Sequence, residues 1–280
     1  MARIEIVLFA ALFTLASPAQ AWGPEGHAIV AEIAQRRLTP EAAAAVERVL
    51  GRGHSLASVA SWADDARDAR PGTYNWHFVD IPLGAAAYDG ERDCRPNPQR
   101  GDCVVAELER LKGELPCVSG EQARDALRFA VHLVGDIHQP LHTLKEARGG
   151  NGVAVTVTWR GLICGARCAP KSVATNLHAA WDGNLITSMA WSWGAYVERL
   201  ELGWLASPQA QGADGGSPAD WAGESHAQAQ IAWNMLPADH QLGDDYFERA
   251  LPLVDRQLGL AGLRLAHLLN LAYAGRSCAR

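Results

Sequence analysis

No C-x-x-C pair, no excess of positive charge and no internal repeat occurs in this chain, and each absence narrows what it can be. Six cysteines lack the spacing of a thiolate zinc ribbon or a dithiol redox motif. The 25 lysines and arginines are outnumbered by 31 acids, a net charge of -6, which argues against a basic nucleic-acid-binding face. A nucleic-acid substrate is still compatible, because bound cations reverse the local sign. Long apolar runs are also scarce. Ile6–Ala16 is the exception, with Arg3 before it and Ala19-Gln20-Ala21 after it. Residues 1–21 therefore read as a cleavable secretory signal peptide, too short for a typical membrane span. The mature chain is expected to begin at Trp22 and to be periplasmic or secreted. Cysteines in an exported chain suggest disulfides, and six allow 15 full pairings. Local pairs Cys94–Cys103 and Cys164–Cys168 are expected, which leaves Cys117 and Cys278 as a third.

What is present is the substance of one sizeable core: 48% of the 280 residues are apolar and 20% charged, with no clear domain boundary. Ile29, Val30, Ile33, Ala34 and Leu38 recur at helical spacing. Thr39-Pro40-Glu41 starts a second helix in cap-then-proline order, ended by Gly51 or Gly53. A third is predicted from Ser55 to Arg70, with Asp64 beside its inner face. Tyr74–Ile81, aromatic and β-branched, reads as extended and buried. Residues 84–102 read as a loop and Val104–Lys112 as a helix. Ser119 and Gln122 form a capping box for a central helix over Glu121–Gln139. Val153, Val155 and Val157 alternate with Ala154, Thr156 and Thr158, the mark of a strand that Arg160-Gly161 could turn into a hairpin. A helix is predicted from about Ser172, then a flexible loop over 207–220, then helix again to about Ala272. The expectation is a mainly α, single compact multi-helix domain, residues 22–280, with one small β-hairpin.

The central helix carries the densest chemistry. Phe129–His142 reads FAVHLVGDIHQPLH and holds His132, Asp136, His138 and His142. His132 and Asp136 are spaced i, i+4 and project from one helix face. Pro140 ends the helix, leaving His142 free to turn back. Such a set suits a divalent metal, although an i, i+4 His–Asp pair can also be a satisfied hydrogen-bonded pair. His27, Asp64, His77, His178 and Asp182 add further donors, the last two again i, i+4. Without His138 these are eight N and O donors, which exceed one tetrahedral zinc and suit two or three ions if carboxylates bridge. Clustered divalent ions activate water and clamp phosphoryl oxygens, chemistry that suits phosphate-ester hydrolysis.

WGPEGH, WAD, WHFVD, HLVGDIHQPLH, GGN and NLHAAWD occur in this order from Trp22 to Asp182. Together they resemble the trinuclear-zinc, single-strand-preferring nucleases and 3′-nucleotidases of the S-one/P-one family, whose fold is shared with bacterial zinc-dependent phospholipases C. The resemblance implies three zinc ions. Asp64, His77 and His132 would hold one. The free amine and carbonyl of Trp22, with His27, would hold a second, Asp136 bridging the two. His142, His178 and Asp182 would hold the third. It further implies attack on phosphorus by zinc-activated water, giving 5′-phosphate products. Asp64, Arg67 and Asp136 would be catalytic, Arg67 stabilising transition-state charge. Asp80 would bind the base, and Asn151 would contact substrate. RNA, single-stranded DNA and 3′-nucleotides are the expected substrates, for a monomer without a membrane anchor. A phospholipase C is the alternative, weakened by Asp182, where those enzymes usually carry Glu; a non-catalytic zinc-binding module is a second. Between Trp159 and Asn176 the segment GLICGARCAPKSVAT departs from the family pattern as an insertion.

Overall fold

A computed structural model describes residues 22–159 and 171–275. The first helix, α1 (Pro24–Gln35), starts with proline at its first turn and buries Ile29, Val30 and Ile33. In α2 (Pro40–Leu50), Thr39 Oγ1 accepts from Ala42 N at 3.2 Å, and Gly51 ends the helix as its spacing suggested.

The third helix is not the continuous one expected from Ser55. It is a 3-10 turn at Ala57–Val59 and then α3, Trp62–Asp65. Serine explains the break: Ser58 Oγ donates to Ser55 O at 2.7 Å and Ser55 Oγ accepts from Ser58 N, so side chains compete for backbone partners. The expected extended segment from Tyr74 also differs. Pro71–His77 is 3-10 helical, with proline in its first turn. Only Phe78–Ile81 extends, joined to the next motif by Val79 N–H to His142 O at 2.9 Å.

Within the loop over 84–102, Asp89 caps the short α4 (Gly90–Asp93). Then come α5 (Val104–Glu114) and the central α6 (Gly120–His138). Ser119 makes no side-chain cap bond, so the expected capping box does not form; Gly120, at φ +59°, turns the chain out of that geometry. Every residue from Phe129 to His138 is buried, which makes the second half of α6 the axis of the molecule. It ends at Pro140, as expected.

The strand β1 (Ala154–Trp159) pairs antiparallel with β2 (Lys171–Asn176), Val157 opposite Val173. Ser172–Thr175 is thus strand, not the start of a helix. Thr158 and Ser172 share a hydroxyl hydrogen bond across the pair, and Asn176 Oδ1 caps the helix that follows. A two-residue strand, β3 (Gln241–Leu242), adds parallel to β1 and makes the hairpin a three-stranded sheet in the order β2-β1-β3. Two residues carry no period, so β3 left no pattern to read. The Arg160-Gly161 turn lies outside the described residues.

After Asn176, α7 (Leu177–Ala179), a π-turn (Ala180–Asn184) and α8 (Leu185–Thr187) form one irregular helical run, followed by α9 (Trp193–Leu202). The segment 207–220, expected to be a flexible loop, contains a 3-10 turn at Pro208–Ala210 and the first residues of α10 (Pro218–Asn234). Its carbonyls are held: Gly215 O accepts from Trp221 Nε1 and Ala213 O from Arg264 Nε. The last helix, α11 (Asp244–Tyr273), buries Leu258, Leu265 and Leu269 among others.

Cys94–Cys103 is bonded as expected, and Cys117 is also in a disulfide. The expected Cys164–Cys168 and Cys117–Cys278 pairings involve residues outside those described, as does the expected signal peptide. Among the described residues no helix is long and apolar enough to cross a membrane.

Candidate metal centre

The second half of α6 puts His132 and Asp136 one turn apart at full burial. From α1, His27 lays its ring on His132, centroids 3.9 Å apart, with Nε2 3.4 Å from Asp136 Oδ1. Asp64 enters from α3, its Oδ1 3.6 Å from His132 Nε2 and 3.6 Å from His77 Nδ1. His77 closes the 3-10 turn, with Nδ1 3.0 Å from Asp136 Oδ2. Two donor groups result, His27–His132–Asp136 and Asp64–His77–His132. The third, His142–His178–Asp182, joins the turn after Pro140 to the irregular run after β2. His142 thus does not return to the His132–Asp136 face but serves the separate group.

Backbone carbonyls set the imidazole tautomers. His132 Nδ1 donates to Ala60 O at 2.8 Å, His142 Nδ1 to His77 O at 2.6 Å, and His178 Nδ1 to Gly149 O at 2.6 Å. A carbonyl cannot donate, so each Nδ1 carries a proton, and in the neutral rings of His142 and His178 Nε2 is left with a lone pair. His142 Nε2 and His178 Nε2 nevertheless stand 3.0 Å apart, and Asp182 Oδ2 lies 3.6 Å from the latter. Two lone pairs at that distance repel unless a positive charge sits between them. Unpartnered buried atoms tell the same story: among the described residues His27 Nδ1 and Nε2, His77 Nε2, Asp136 Oδ1 and Asp182 Oδ2 lack hydrogen-bond partners. Neutral imidazoles and carboxylates oriented from behind by carbonyls are the donor chemistry of zinc-type sites, so the residues present fit divalent cations.

Electrostatics agree. Burial opposes the charging of His132, but Asp136 and Asp64 overcome it and raise the imidazole to about 10, the proton supplying the counter-charge. Burial likewise opposes ionisation of Asp136, yet His132, His27 and His77 hold it well below the usual carboxylate range. Burial lowers His77 to about 4 and His178 to about 3, and it pushes Asp182 well above the ordinary value despite a bond from Gln139. Three buried or nearly buried carboxylates converge here with one guanidinium, that of Arg67, whose Nη2 donates to Asp64 Oδ1 at 2.8 Å.

Asp80 is exposed between buried neighbours, Asn151 is half-buried, and both belong to none of the three donor groups. Partial desolvation raises the Asp80 carboxyl; Lys145 opposes this, and Asp93 and Glu146 add to it. Asn151 Nδ2 donates to Arg148 O at 2.9 Å, which braces the turn whose Gly149 carbonyl orients His178.

Sequence reasoning missed the supports. Gln139 Nε2 donates to Asp182 Oδ1 at 2.6 Å while its Oε1 takes Leu141 N–H, so one side chain joins the end of α6 to the third group. His138, inside the central motif, is no ligand here. Its Nδ1 donates to Val134 O and its Nε2 accepts from Arg264 Nη1 at 3.0 Å, while Gln257 Nε2 holds its carbonyl. Gln139 could have been noticed as the one polar residue between His138 and Pro140; Arg264, 126 positions from His138, left no local signal.

Comparison with known proteins gives the same reading. Residues 22–274 match the family model of S1/P1 Nuclease. Nuclease PA3 of a Penicillium species is 31% identical, over 89% of this chain and 97% of that protein. Nuclease P1 of Penicillium citrinum is 31% identical over the same shares, and Nuclease S1 of Aspergillus oryzae is 29% identical over 94% and 95%. With this match spanning nearly every described residue, the chain belongs to the S1/P1 nuclease family.

Proposed function

We propose that the protein is a zinc-dependent phosphodiesterase that hydrolyses RNA and single-stranded DNA to 5′-phosphate products and removes phosphate from 3′-nucleotides. The observation that carries this is the pair of Nε2 lone pairs, His142 and His178, 3.0 Å apart beside Asp182, which needs a shared cation. Three zinc ions per chain are assigned to the three donor groups. Asp136, whose two oxygens face His27 and His77, would be shared by two of them, and the Trp22 amine and carbonyl would complete the His27 site. Trp22 is fully buried and Gly23 N–H donates to Asp182 O at 2.7 Å, so the start of the described chain is sewn into the centre. Cleavage after Ala21 would free that amine, and the family match beginning at residue 22 supports this. The mature enzyme is then periplasmic or secreted, a single domain and a monomer.

Bound zinc supplies Lewis acidity and a water of lowered pKa. The chain supplies the rest. Arg67, with its side chain 13% exposed and anchored on Asp64, brings the guanidinium beside the donor groups and counters charge in the transition state. Asp64 and Asp136 stay ionised. The carbonyls of Ala60, His77 and Gly149 hold the imidazoles in the donor tautomer. Asp80 accepts hydrogen bonds from a base, and Asn151 lines the substrate side.

The test is a paired assay on protein whose amino terminus is verified as Trp22. Zinc is counted by elemental analysis, and hydrolysis of single-stranded DNA, RNA, 3′-AMP and lecithin is followed with and without chelator. About three zincs and chelator-sensitive nucleotide hydrolysis are expected. Lecithin as sole substrate would move the protein to the phospholipase branch; no turnover on any substrate would refute the assignment.

A further inference from the structure

Seven arginines rest over aromatic rings among the described residues. Six also face a carboxylate: Arg67 that of Asp64, Arg70 and Arg128 that of Asp125, Arg110 those of Glu107 and Glu114, Arg199 that of Asp255, Arg264 that of Glu224. Arg100 is the exception. Its guanidinium lies 3.9 Å from the Tyr74 ring centroid, the nearest of the seven, and no acid pairs with it among the described residues. In a chain of net charge -6 an unneutralised guanidinium is unusual. A stacked arginine leaves its N–H edge free to grip an anion.

Its position gives the anion an identity. The Tyr74 ring is shared: Arg67 Cζ stands 5.5 Å from the same centroid. Arg67 in turn holds Asp64, so Arg100 is one ring beyond the arginine assigned to the reacting phosphate. The site is also built rather than incidental. Asn75 N–H donates to Arg100 O at 2.7 Å and Asn75 Nδ2 to Gly101 O at 3.1 Å, which straps the arginine's backbone to the 3-10 turn that carries His77. Gly101 has φ +85°, and a Cβ there would meet Gly72 O at 2.5 Å, so the two segments are in direct backbone contact. The Cys94–Cys103 disulfide and Val104 N–H to Phe78 O fasten the far side. Both arginine and ring are thus positioned by the same turn as a metal donor. A lone surface cation–π pair would need none of this.

We propose that Arg100, perched on Tyr74, is a phosphate subsite for the nucleotide next to the cleaved linkage, so that the enzyme distinguishes polynucleotide chains from mononucleotides. The inference rests on the nuclease reading above. A strand whose scissile phosphate meets Arg67 lays its neighbouring phosphate on Arg100; 3′-AMP, with one phosphate, uses only the first.

The test compares zinc-loaded wild type with Arg100→Gln and Arg100→Lys on a single-stranded oligonucleotide and on 3′-AMP. In Arg100→Gln the ratio of kcat/KM for oligonucleotide to that for 3′-AMP falls about fivefold or more, through KM, and the salt dependence of log KM for the oligonucleotide flattens by about 0.7, the value for one phosphate contact on a single strand. Arg100→Lys restores the salt slope but only part of the affinity, because the fork and the stack are lost. An unchanged ratio and salt slope in Arg100→Gln, or parallel losses on both substrates, overturns the subsite. Wild-type protein that cleaves neither substrate overturns the nuclease reading itself, a result separable from the first.

Discussion

Gly135 offers a direct test of His27 as a metal donor. It lies on α6 one residue before Asp136, and a Cβ added there would sit 2.7 Å from His27 Nδ1 and 3.0 Å from Cε1. Comfortable contact begins at about 3.5 Å, so in Gly135→Ala the ring must retreat by roughly 0.8 Å. The ring is hemmed in, because it is stacked on His132 with centroids 3.9 Å apart. Two effects on the fold oppose each other. Alanine improves helix propensity by about 1 kcal/mol, and overpacking costs about 1–3 kcal/mol. The net loss is about 0–2 kcal/mol, or at most about 8 °C in Tm. Metal geometry tolerates only about 0.2 Å, and disturbed ligand orientation typically weakens affinity about 10–100-fold. Dialysed Gly135→Ala should therefore retain one zinc fewer than wild type while keeping its helical circular dichroism. Elemental analysis and calorimetric zinc titration measure this. A full zinc complement at wild-type affinity would refute the reasoning, because a displaced His27 could not then be a donor.

Asp136→Asn should lose at least one zinc and lower hydrolysis of single-stranded DNA by about 100-fold or more, since the bridging carboxylate is removed; near-wild-type turnover would end the assignment. Chelation should lower Tm by about 15 °C or more, because three sites saturated at 100 times their Kd contribute about 8 kcal/mol together; a shift of only about 3 °C in a thermal scan would be too small. Arg264→Met leaves His138 Nε2 buried without its donor, at a cost of about 1–3 kcal/mol, visible as a lower midpoint in urea. A Gly-Ser extension before Trp22 should cost one zinc in elemental analysis, whereas an extension after Arg280 should not.

The residues that gather in the three groups were legible because their spacing is local or their motifs are long. His132 and Asp136 declare a shared face by an i, i+4 interval, and the order of WGPEGH, WAD, WHFVD and NLHAAWD places the remainder. The long helices were equally plain, and Thr39-Pro40 and Pro140 marked ends that the chain uses. What escaped depended on partners distant in sequence or on backbone atoms. Ser172–Thr175 became strand because β1 lies beside it, not from its own pattern. The helix expected from Ser55 breaks through serine bonds to neighbouring main chain. Carbonyls that fix the imidazoles, such as Ala60 O and Gly149 O, belong to residues whose side chains say nothing of that role. Arg264 and Gln257, which clamp His138 from α11, could be found only once the chain was folded.

That last clamp has a consequence for when the protein can act. The donor side chains run from His27 to Asp182, yet the arginine and glutamine that secure the end of the central helix lie on α11, beyond residue 244. A chain still emerging from the ribosome, or one cut short before that helix, holds every donor side chain but not the wall that aligns them. Hydrolysis should therefore await the completed α11, and fragments that lack it should be inert. A chain ended at residue 240 should bind less zinc than the full chain and cleave nothing; cleavage by such a fragment would show that the donors assemble without their final helix.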